Sequence, residues 1–259
     1  MASRFFVEEE FADDSVGIKE YWNSPLVPLE VAIRSLYAII PRINELVAKA
    51  KAKCFISPDG LTHDETAAIY LYTMEVGKTS IYRMVNWTLR KKDHFMARPW
   101  LLYLKLFATG VRKLPLYSGN VWRAVPGDVA KHYKKYGRIR WWAYTSCTKS
   151  ISILDQFIPQ SANDRTIFMI ECIRGRNIAP YSAYGKEDEI LLVSGTTLIA
   201  ADESLMMAEV RMVHLKEVSA GNLSSTPNSN QVVDKNTTAV SLYQSSKWGL
   251  PKTPKGTSN

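Results

Sequence analysis

Cysteine and histidine are scarce in this sequence. Its 259 residues include three cysteines, at positions 54, 147 and 172, which have neither metal-ligand spacing nor the even number that a disulfide framework needs. The four histidines, at positions 63, 94, 132 and 214, are equally scattered. We therefore expect reduced thiols, structural or surface histidines and no metal site.

The sequence also lacks a long uninterrupted apolar run. Its most apolar helical stretch, Trp100 to Val111, contains Lys105 and is too short to span a bilayer. At the N-terminus, the acidic residues Glu8, Glu9 and Glu10 come before any apolar stretch of signal-peptide length. These features predict a cytoplasmic protein without a membrane partner, and they leave secretion by another route open.

Acidic residues are outnumbered by basic ones, and the formal net charge is +8. Such a charge can attract nucleic acid or a membrane surface. Four lysines and one aspartate in residues 219–259 supply +3 of it, which leaves +5 for the rest of the chain. Short clusters such as Arg90-Lys91-Lys92 are typical of solvated faces. The charge therefore does not favour nucleic acid as a partner.

Apolar residues are nevertheless abundant, at 46% of the chain, so a large core can form. Apolar steps of three and four residues predict a helix over 29–53, kinked at Pro41. Thr62 and Glu65 form a capping-box pattern that begins a second helix, which reaches about Glu75. Further helices are predicted over residues 79–92 and 98–112.

From Pro115 onward, short β-prone runs replace the helices. The predicted strands cover residues 119–125, 139–146, 165–172, 176–179, 188–193 and 208–217. Helices followed by many short strands indicate an α+β fold. Beyond residue 219 the chain is rich in Ser, Thr, Asn and Pro and poor in apolar residues, which predicts a disordered tail.

Two carboxylates stand at the start of one predicted strand. Glu187 and Glu189 precede the apolar run Ile190 to Val193, and alternate side chains of a strand point to the same face. We therefore expect the two carboxylates to project side by side. Such a pair suits a reaction in which one acid stabilises a cationic, sugar-like transition state while the other manages a proton. An isolated E-x-E is more often a solvated acidic turn.

Two upstream segments offer groups for a phosphorylated nucleoside. Arg123 lies between two valines on one face of an alternating segment, where a buried guanidinium requires an anion such as phosphate. Tyr144, Ser146 and Thr148 share a strand face, so two hydroxyls lie below an aromatic ring and could form a ribose-binding wall. Standing alone, the first would be an edge-strand arginine and the second a hydroxyl-rich strand end.

In chain order, these segments resemble the arginine, serine and glutamate signature of the mono-ADP-ribosyltransferases, in the branch whose last element is E-x-E. Val121-Trp122-Arg123 is similar to the family's aromatic-Arg strand, and Tyr144 to Thr148 to its aromatic-x-Ser-x-Ser/Thr strand. Ser182 to Leu192 resembles its target-recognition loop and catalytic strand. With the helical stretch that begins at Leu61, the resemblance covers roughly residues 55–218.

The resemblance implies an α+β fold in which a helical N-terminal part precedes a β-rich, NAD-binding core of two packed sheets. It divides the chain into an N-terminal helical extension at residues 1–54, a catalytic domain at 55–218 and the tail at 219–259.

The resemblance also implies a role for each motif residue. Arg123 would hold the pyrophosphate of NAD, which is a substrate, and no metal is called for. Ser146 would bind near the nicotinamide ribose or orient the glutamate, with Thr148 beside it. Glu189 would stabilise the oxocarbenium as nicotinamide leaves. Glu187 would activate the acceptor guanidinium, so the expected partner is a protein with an exposed arginine.

Two further positions complete the implied site. Tyr184 occupies the place of the loop aromatic that packs against the target protein. Ala124 stands where the family usually has a glycine whose backbone meets the nicotinamide amide. An added methyl group there would narrow the approach of the ligand.

Three functions compete. An arginine-directed mono-ADP-ribosyltransferase is favoured, because the E-x-E motif supplies a second carboxylate for a guanidinium. An NAD glycohydrolase would use the same cleft and pass the sugar to water. A non-catalytic basic module would grip single-stranded nucleic acid with side chains that stack and attract phosphate, namely Trp141, Trp142, Arg138 and Arg140. Large aromatics on a strand are more often packed in the core.

Overall fold

The fold is that of a computed structural model, which describes residues 17–54, 57–154, 165–202, 205–207 and 210–219. The described helices are α1 (Leu29–Ala32), α2 (Ile43–Lys53), α3 (His63–Thr73), α4 (Ile81–Lys91), α5 (His94–Ala97), α6 (Leu101–Lys113) and α7 (Ile151–Leu154). The described strands are β1 (Leu116–Pro126), β2 (Arg138–Trp141), β3 (Thr145–Thr148), β4 (Arg165–Asn177), β5 (Glu189–Leu192), β6 (Thr196–Ala200), β7 (Leu205–Met207) and β8 (Val210–Glu217). The α+β prediction is confirmed. The predicted tail lies outside the described residues.

The capping box is confirmed at the start of α3. The Thr62 hydroxyl accepts from the Glu65 N–H at 3.2 Å, and the Glu65 carboxylate accepts from the Thr62 N–H at 2.8 Å. The single kinked helix predicted over 29–53 is wrong. Helix α1 ends at Ala32, and α2 begins only after Arg42, whose φ of 56° is left-handed. Pro41 lacks an N–H and clashes with the carbonyl four residues earlier, so it prevents a helix from continuing from residue 37 into α2, but the end of α1 at Ala32 lies beyond its reach.

The eight described strands are joined by hydrogen bonds in the order β1-β3-β5-β4-β8-β6-β2, with β7 on β8 and a further long pairing of β1 with β4. Strand β4 takes part in both layers. Its first part, Arg165 to Glu171, runs parallel to β8, whereas its last residues, Arg176 and Asn177, pair with β5. The β3–β5 pair packs back on the rest of the sheet through a core that contains Cys147, Ile190 and Phe168. This arrangement gives the two packed layers that the fold class predicts.

Several strand boundaries differ from the prediction. The strand predicted over 139–146 is two strands, because β2 pairs with β6 while β3 pairs with β5. The strands predicted over 165–172 and 176–179 join into β4, which ends at Asn177 and is followed by a 3-10 turn at Ala179–Tyr181. Strand β6 was not predicted. Which strands pair is decided by contacts distant in sequence, so a β-prone run alone does not reveal a change of partner.

The β3–β5 pair lies between two apolar cores. One core is built from the helices and contacts the sheet through Tyr144 and Leu191. The other lies within the sheet and includes Cys147 and Ile190. Helices α1 and α2 contribute to the same helical core as α3 and α6. The domain boundary between residues 54 and 55 stays a prediction.

Within the described residues, no helix combines the length and the apolar character that crossing a membrane requires.

Candidate active site

The pairing of β3 with β5 brings three predicted site residues to one face. Thr148 lies opposite Glu189, and Ser146 lies opposite Leu191. Side chains directly across an antiparallel pair lie on the same side of the sheet. Because Leu191 packs in the helical core, this face looks toward the helices. Ser146, Thr148 and Glu189 are all buried, and Glu189 has no exposed surface.

Arg123 is attached to the same strand from β1. Its Nη1 donates to the carbonyl of Ser146 at 3.0 Å, and its neighbour Trp122 pairs with Thr148. The guanidinium is buried, with 5% of the residue exposed. A buried guanidinium costs free energy unless its donors meet acceptors, and it can hold two phosphate oxygens at once. The structure therefore brings the predicted arginine, serine and glutamate strands together.

The carboxylate of Glu189 is held by a residue to which sequence analysis assigned no role. The hydroxyl of Ser182 donates to Oε2 of Glu189 at 3.2 Å and accepts from the N–H of Tyr184 at 3.1 Å. The carbonyl of Glu189 accepts from the N–H of Ile178 at 3.2 Å. Ser182 lies seven positions before Glu189 in the sequence, and neither strand nor helix periodicity predicts a contact between them. The resemblance to a recognition loop was the only sequence signal for Ser182.

The strand alternation that was expected to make Glu187 and Glu189 project side by side is wrong. Gly185–Glu187 form a 3-10 turn, Asp188 is left-handed with a φ of 51°, and β5 begins at Glu189. Aspartate tolerates the left-handed region better than most residues, so the E-x-E tripeptide turns where a uniform strand was expected. The alternation of a strand therefore does not relate the two glutamates.

The turn is tied to the end of β3. The Thr148 hydroxyl donates to the carbonyl of Glu187 at 2.9 Å and accepts from the N–H of Ser150 at 3.2 Å. The carboxylate of Asp188 pairs with Lys149 at 3.1 Å. These contacts make Thr148 a residue that holds the loop. Its predicted contact with the ribose stays a prediction.

The loop from Tyr181 to Tyr184, which precedes this turn, lies against the helical half of the molecule. The N–H of Ala183 donates to the hydroxyl of Thr73, at the end of α3, at 2.8 Å. The hydroxyl of Tyr181 donates to Asp59 at 2.5 Å. Tyr184, by contrast, is 40% exposed. The loop is thus anchored on both sides of an accessible aromatic residue.

Asn86, which the sequence analysis missed, fixes the entrance to β3. Its side chain donates to the carbonyl of Tyr144 at 2.8 Å and accepts from the N–H of Tyr144 at 3.1 Å. Both contacts join α4 to the serine strand. Asn86 lies among the apolar residues of a helix, and its sequence pattern carries no signal for this contact.

The tryptophans that a nucleic-acid module would need for stacking are buried. Trp141 is 1% exposed and meets Phe168 edge-on in the sheet core. Trp142 is 4% exposed, and the cations of Lys19 and Arg140 lie 5.5 and 5.4 Å from its ring centroid. Neither ring offers a face for a base, as the preference of large aromatics for the core predicts.

Among the described residues, no three side chains of His, Cys, Asp or Glu are grouped so as to hold a metal ion. The expectation that no metal is needed stays a prediction.

Several solved structures share this fold, and HopU1 and the Vis toxin among them are ADP-ribosyltransferases. Exoenzyme S from Pseudomonas aeruginosa matches with a TM-score of 0.56 and 18% identity, over 78% of this chain and 94% of that chain. HopU1 of Pseudomonas syringae matches with a TM-score of 0.54 and 21% identity, over 68% of this chain and 87% of that chain. The Vis toxin from Vibrio splendidus matches with a TM-score of 0.53 and 18% identity, over 80% of this chain and 94% of that chain. At these identities the likeness establishes the fold.

A search of curated protein sequences found no match. A sequence model of one family, described as NAD:arginine ADP-ribosyltransferase, matches residues 30–219. The match spans all of the site residues above and most of the chain. It also agrees with the order of the arginine, serine and glutamate motifs along the chain and with the fold of the solved structures. The chain belongs to the NAD:arginine ADP-ribosyltransferase family.

Proposed function

We propose that the protein cleaves the nicotinamide–ribose bond of NAD and transfers ADP-ribose to an arginine side chain of an acceptor protein. The observation that carries this proposal is the register of β3 and β5. It puts the buried Glu189 opposite Thr148 and two residues from the position that faces Ser146, while Arg123 donates to the same strand. Two solved structures with the same fold support the substrate classes by analogy: exoenzyme S bound to carba-NAD, and Vis in complex with agmatine.

In the first step, the bond between the anomeric carbon and the nicotinamide nitrogen breaks. Both electrons go to nicotinamide, which leaves as a neutral molecule, and positive charge develops on the ribose. Glu189 has its carboxylate buried and held by Ser182, so it is aimed before the charge develops. Preorganised charge in a water-poor site stabilises a transition state more than the same charge in water. Arg123 would hold the pyrophosphate meanwhile.

In the second step, a guanidine nitrogen of the acceptor bonds to the anomeric carbon and loses one proton. Arginine holds its proton throughout the ordinary pH range, so the nitrogen becomes a nucleophile only as a base accepts that proton. Glu187 is the proposed base. It lies in the turn between the exposed Tyr184 and β5, where an acceptor side chain can enter.

NAD glycohydrolase activity is the second candidate. The observation that favours it is the position of Glu187 in a turn instead of beside Glu189 on β5. Water needs no second carboxylate to reach the anomeric carbon. Both candidates share the first step and differ only in the group that receives the sugar.

The two glutamates should be exchanged for glutamine in separate variants, with Glu45→Gln as the control, because Glu45 is exposed on α2. Nicotinamide release and labelling of agmatine are then measured on the same samples. Glu189→Gln should abolish both activities, since a neutral amide offers no charge to the oxocarbenium. Glu187→Gln should lose labelling and keep measurable nicotinamide release.

Full labelling by Glu187→Gln would overturn the arginine assignment. Wild-type nicotinamide release that agmatine does not increase, with no labelled product, would favour the glycohydrolase. No nicotinamide release from the folded wild-type protein under any of these conditions would overturn the shared first step.

A further inference from the structure

A cavity of about 330 Å³ lies at the other end of the β3–β5 pair from Glu189. It is bounded by Tyr144, just before β3, by residues 193–196 after β5, by the end of α6 and by the 3-10 helix Glu20–Asn23. Its nearest lining residues along the two strands, Tyr144 and Val193, are four positions from Thr148 and Glu189, which is roughly 13 Å at about 3.3 Å per residue. Its volume is within the range of pockets that bind small molecules. None of the motif residues Arg123, Ser146 and Glu189 lines it.

Three arginines and one glutamate line this cavity. Both carboxylate oxygens of Glu217 accept hydrogen bonds from neighbouring residues. Its Oε1 accepts from Nε of Arg174 at 2.9 Å, and its Oε2 accepts from the N–H groups of Ile173 and Arg174 at 2.8 and 2.9 Å. Glu217 therefore neutralises Arg174. Among the residues that line the cavity, no other carboxylate faces the positive charges of Arg112 and Arg176.

Neither Arg112 nor Arg176 forms an ion pair with a carboxylate in the part of the chain that the structure describes. Arg176 donates from Nη1 to the carbonyl of Leu114, while its Nε is buried without a hydrogen-bond partner among the same residues. The guanidinium of Arg112 lies over Trp22, 4.8 Å from the ring centroid, which orients it. Burial, and after it the charge of Arg112, lowers the pKa of Arg176. Two neighbouring cations thus lack a carboxylate partner within the described part of the chain.

We propose that this cavity is a second ligand site, in which Arg112 and Arg176 bind the phosphate group of a small molecule. Phosphate offers three or four acceptor oxygens and close to two negative charges, which matches two guanidinium forks. A carboxylate has one face for one fork and a single charge, so it matches less well. Burial raises the pKa of Tyr144 well above its usual value, which keeps a neutral phenol at the wall of the cavity. An anion there meets no competing negative charge from that wall.

Calorimetric titration of the full chain with inorganic phosphate and, separately, with AMP tests the site at constant ionic strength. The wild-type protein should bind one molecule of each probe. In the Arg112→Gln variant the dissociation constant of each probe should rise at least tenfold. Arg112 is exposed, so this variant should fold, as a melting curve will verify. Arg34→Gln is the matched control, because Arg34 is an exposed arginine that is not among the lining residues. Arg123→Lys separates the cavity from the proposed NAD site.

Tenfold loss in Arg112→Gln and in Arg176→Gln, with wild-type binding in Arg34→Gln and Arg123→Lys, would establish the site. Tighter binding of AMP than of phosphate would assign it to phosphate esters, and equal binding would assign it to free phosphate. Absence of binding by wild type at millimolar concentrations of both probes would overturn the proposal. So would a loss in Arg123→Lys that equals the loss in Arg112→Gln, because the bound phosphate would then lie in the NAD site.

Discussion

The two ends of the β3–β5 pair treat charge in opposite ways. At one end, the carboxylate of Glu189 is completely buried and accepts from Ser182. At the other end, Arg112 and Arg176 face a cavity with no carboxylate of their own among the described residues. The negative charge of Glu189 is thus hydrogen-bonded by the protein, whereas the two arginines have no carboxylate partner among the described residues.

The difference teaches where each charge can act. A charge whose hydrogen-bond partners are in place costs little to reorganise, so it can stabilise a transition state. Cations that share a cavity repel each other, and a bound anion relieves that repulsion. This difference supports the proposed catalytic role of Glu189 and the proposed role of the arginine pair in binding. Four substitutions would break or sharpen this comparison.

The largest expected effect is on stability at the arginine end. Glu217→Gln removes the charge that neutralises Arg174 and sets an amide against three donated hydrogen bonds. Glutamine keeps one acceptor oxygen and turns an NH2 group toward the remaining donor; an unpaired donor costs about 1–3 kcal/mol, and because these donors are only partly buried we expect a loss of about 2 kcal/mol in the free energy of unfolding. Urea denaturation measures it. Glu171→Gln is the control, because Glu171 is more exposed and should cost less; equal losses would contradict the assigned role of Glu217.

Loss of the hydroxyl beside Glu189 should come next in size. Ser182→Ala removes a hydrogen bond to a carboxylate, a contact worth about 1.5–3 kcal/mol, so kcat should fall by roughly tenfold or more. The KM for NAD should change little, because Ser182 acts through Glu189. Ser182→Thr should recover much of the rate by restoring a hydroxyl. Equal kcat in the alanine and threonine variants would show that the hydrogen bond does not position Glu189.

A moderate effect is expected when the guanidinium of Arg123 is replaced by an ammonium group, which keeps the positive charge but is not planar. Arg123→Lys replaces a planar fork by a point charge, so the KM for NAD should rise roughly tenfold. The contact with the carbonyl of Ser146 is also altered, and a melting curve separates that structural effect from the kinetic one. An unchanged KM in a folded variant would remove Arg123 from the pyrophosphate.

The smallest effect is expected at Ala124. Ala124→Gly should maintain or improve cleavage of NAD, because removing a methyl group relaxes the approach to the nicotinamide amide. Ala124 is fully buried within β1, so glycine should also lower stability by about 0.5–1 kcal/mol. Initial rates and melting temperature report the two effects separately. Loss of activity at unchanged stability would mean that nicotinamide binds differently here.

Local chemistry was the easiest part to predict. The capping box of α3 needs only Thr62 and Glu65, three residues apart, and it forms as expected. Sequence pattern also placed Arg123, Ser146 and Glu189 on strands, where they lie. The division of the stretch 139–146 between β2 and β3 was missed, because the two pieces find their partners in β6 and β5. The turn at Asp188 was missed because three consecutive acidic residues show no alternation of apolar and polar side chains that would separate a strand from a turn.

The sequence by itself determined the family, the α+β class and the residues that bring charge to the site. Those properties depend on residue type and order along short segments. Only the tertiary structure decided that Ser182 holds Glu189, that Asn86 clamps the entrance to β3 and that Arg112 meets Arg176 at one cavity. Each of these contacts joins residues from different elements. Their distances are set by how the strands pair and how the helices pack on them, and no periodicity in a single segment records that.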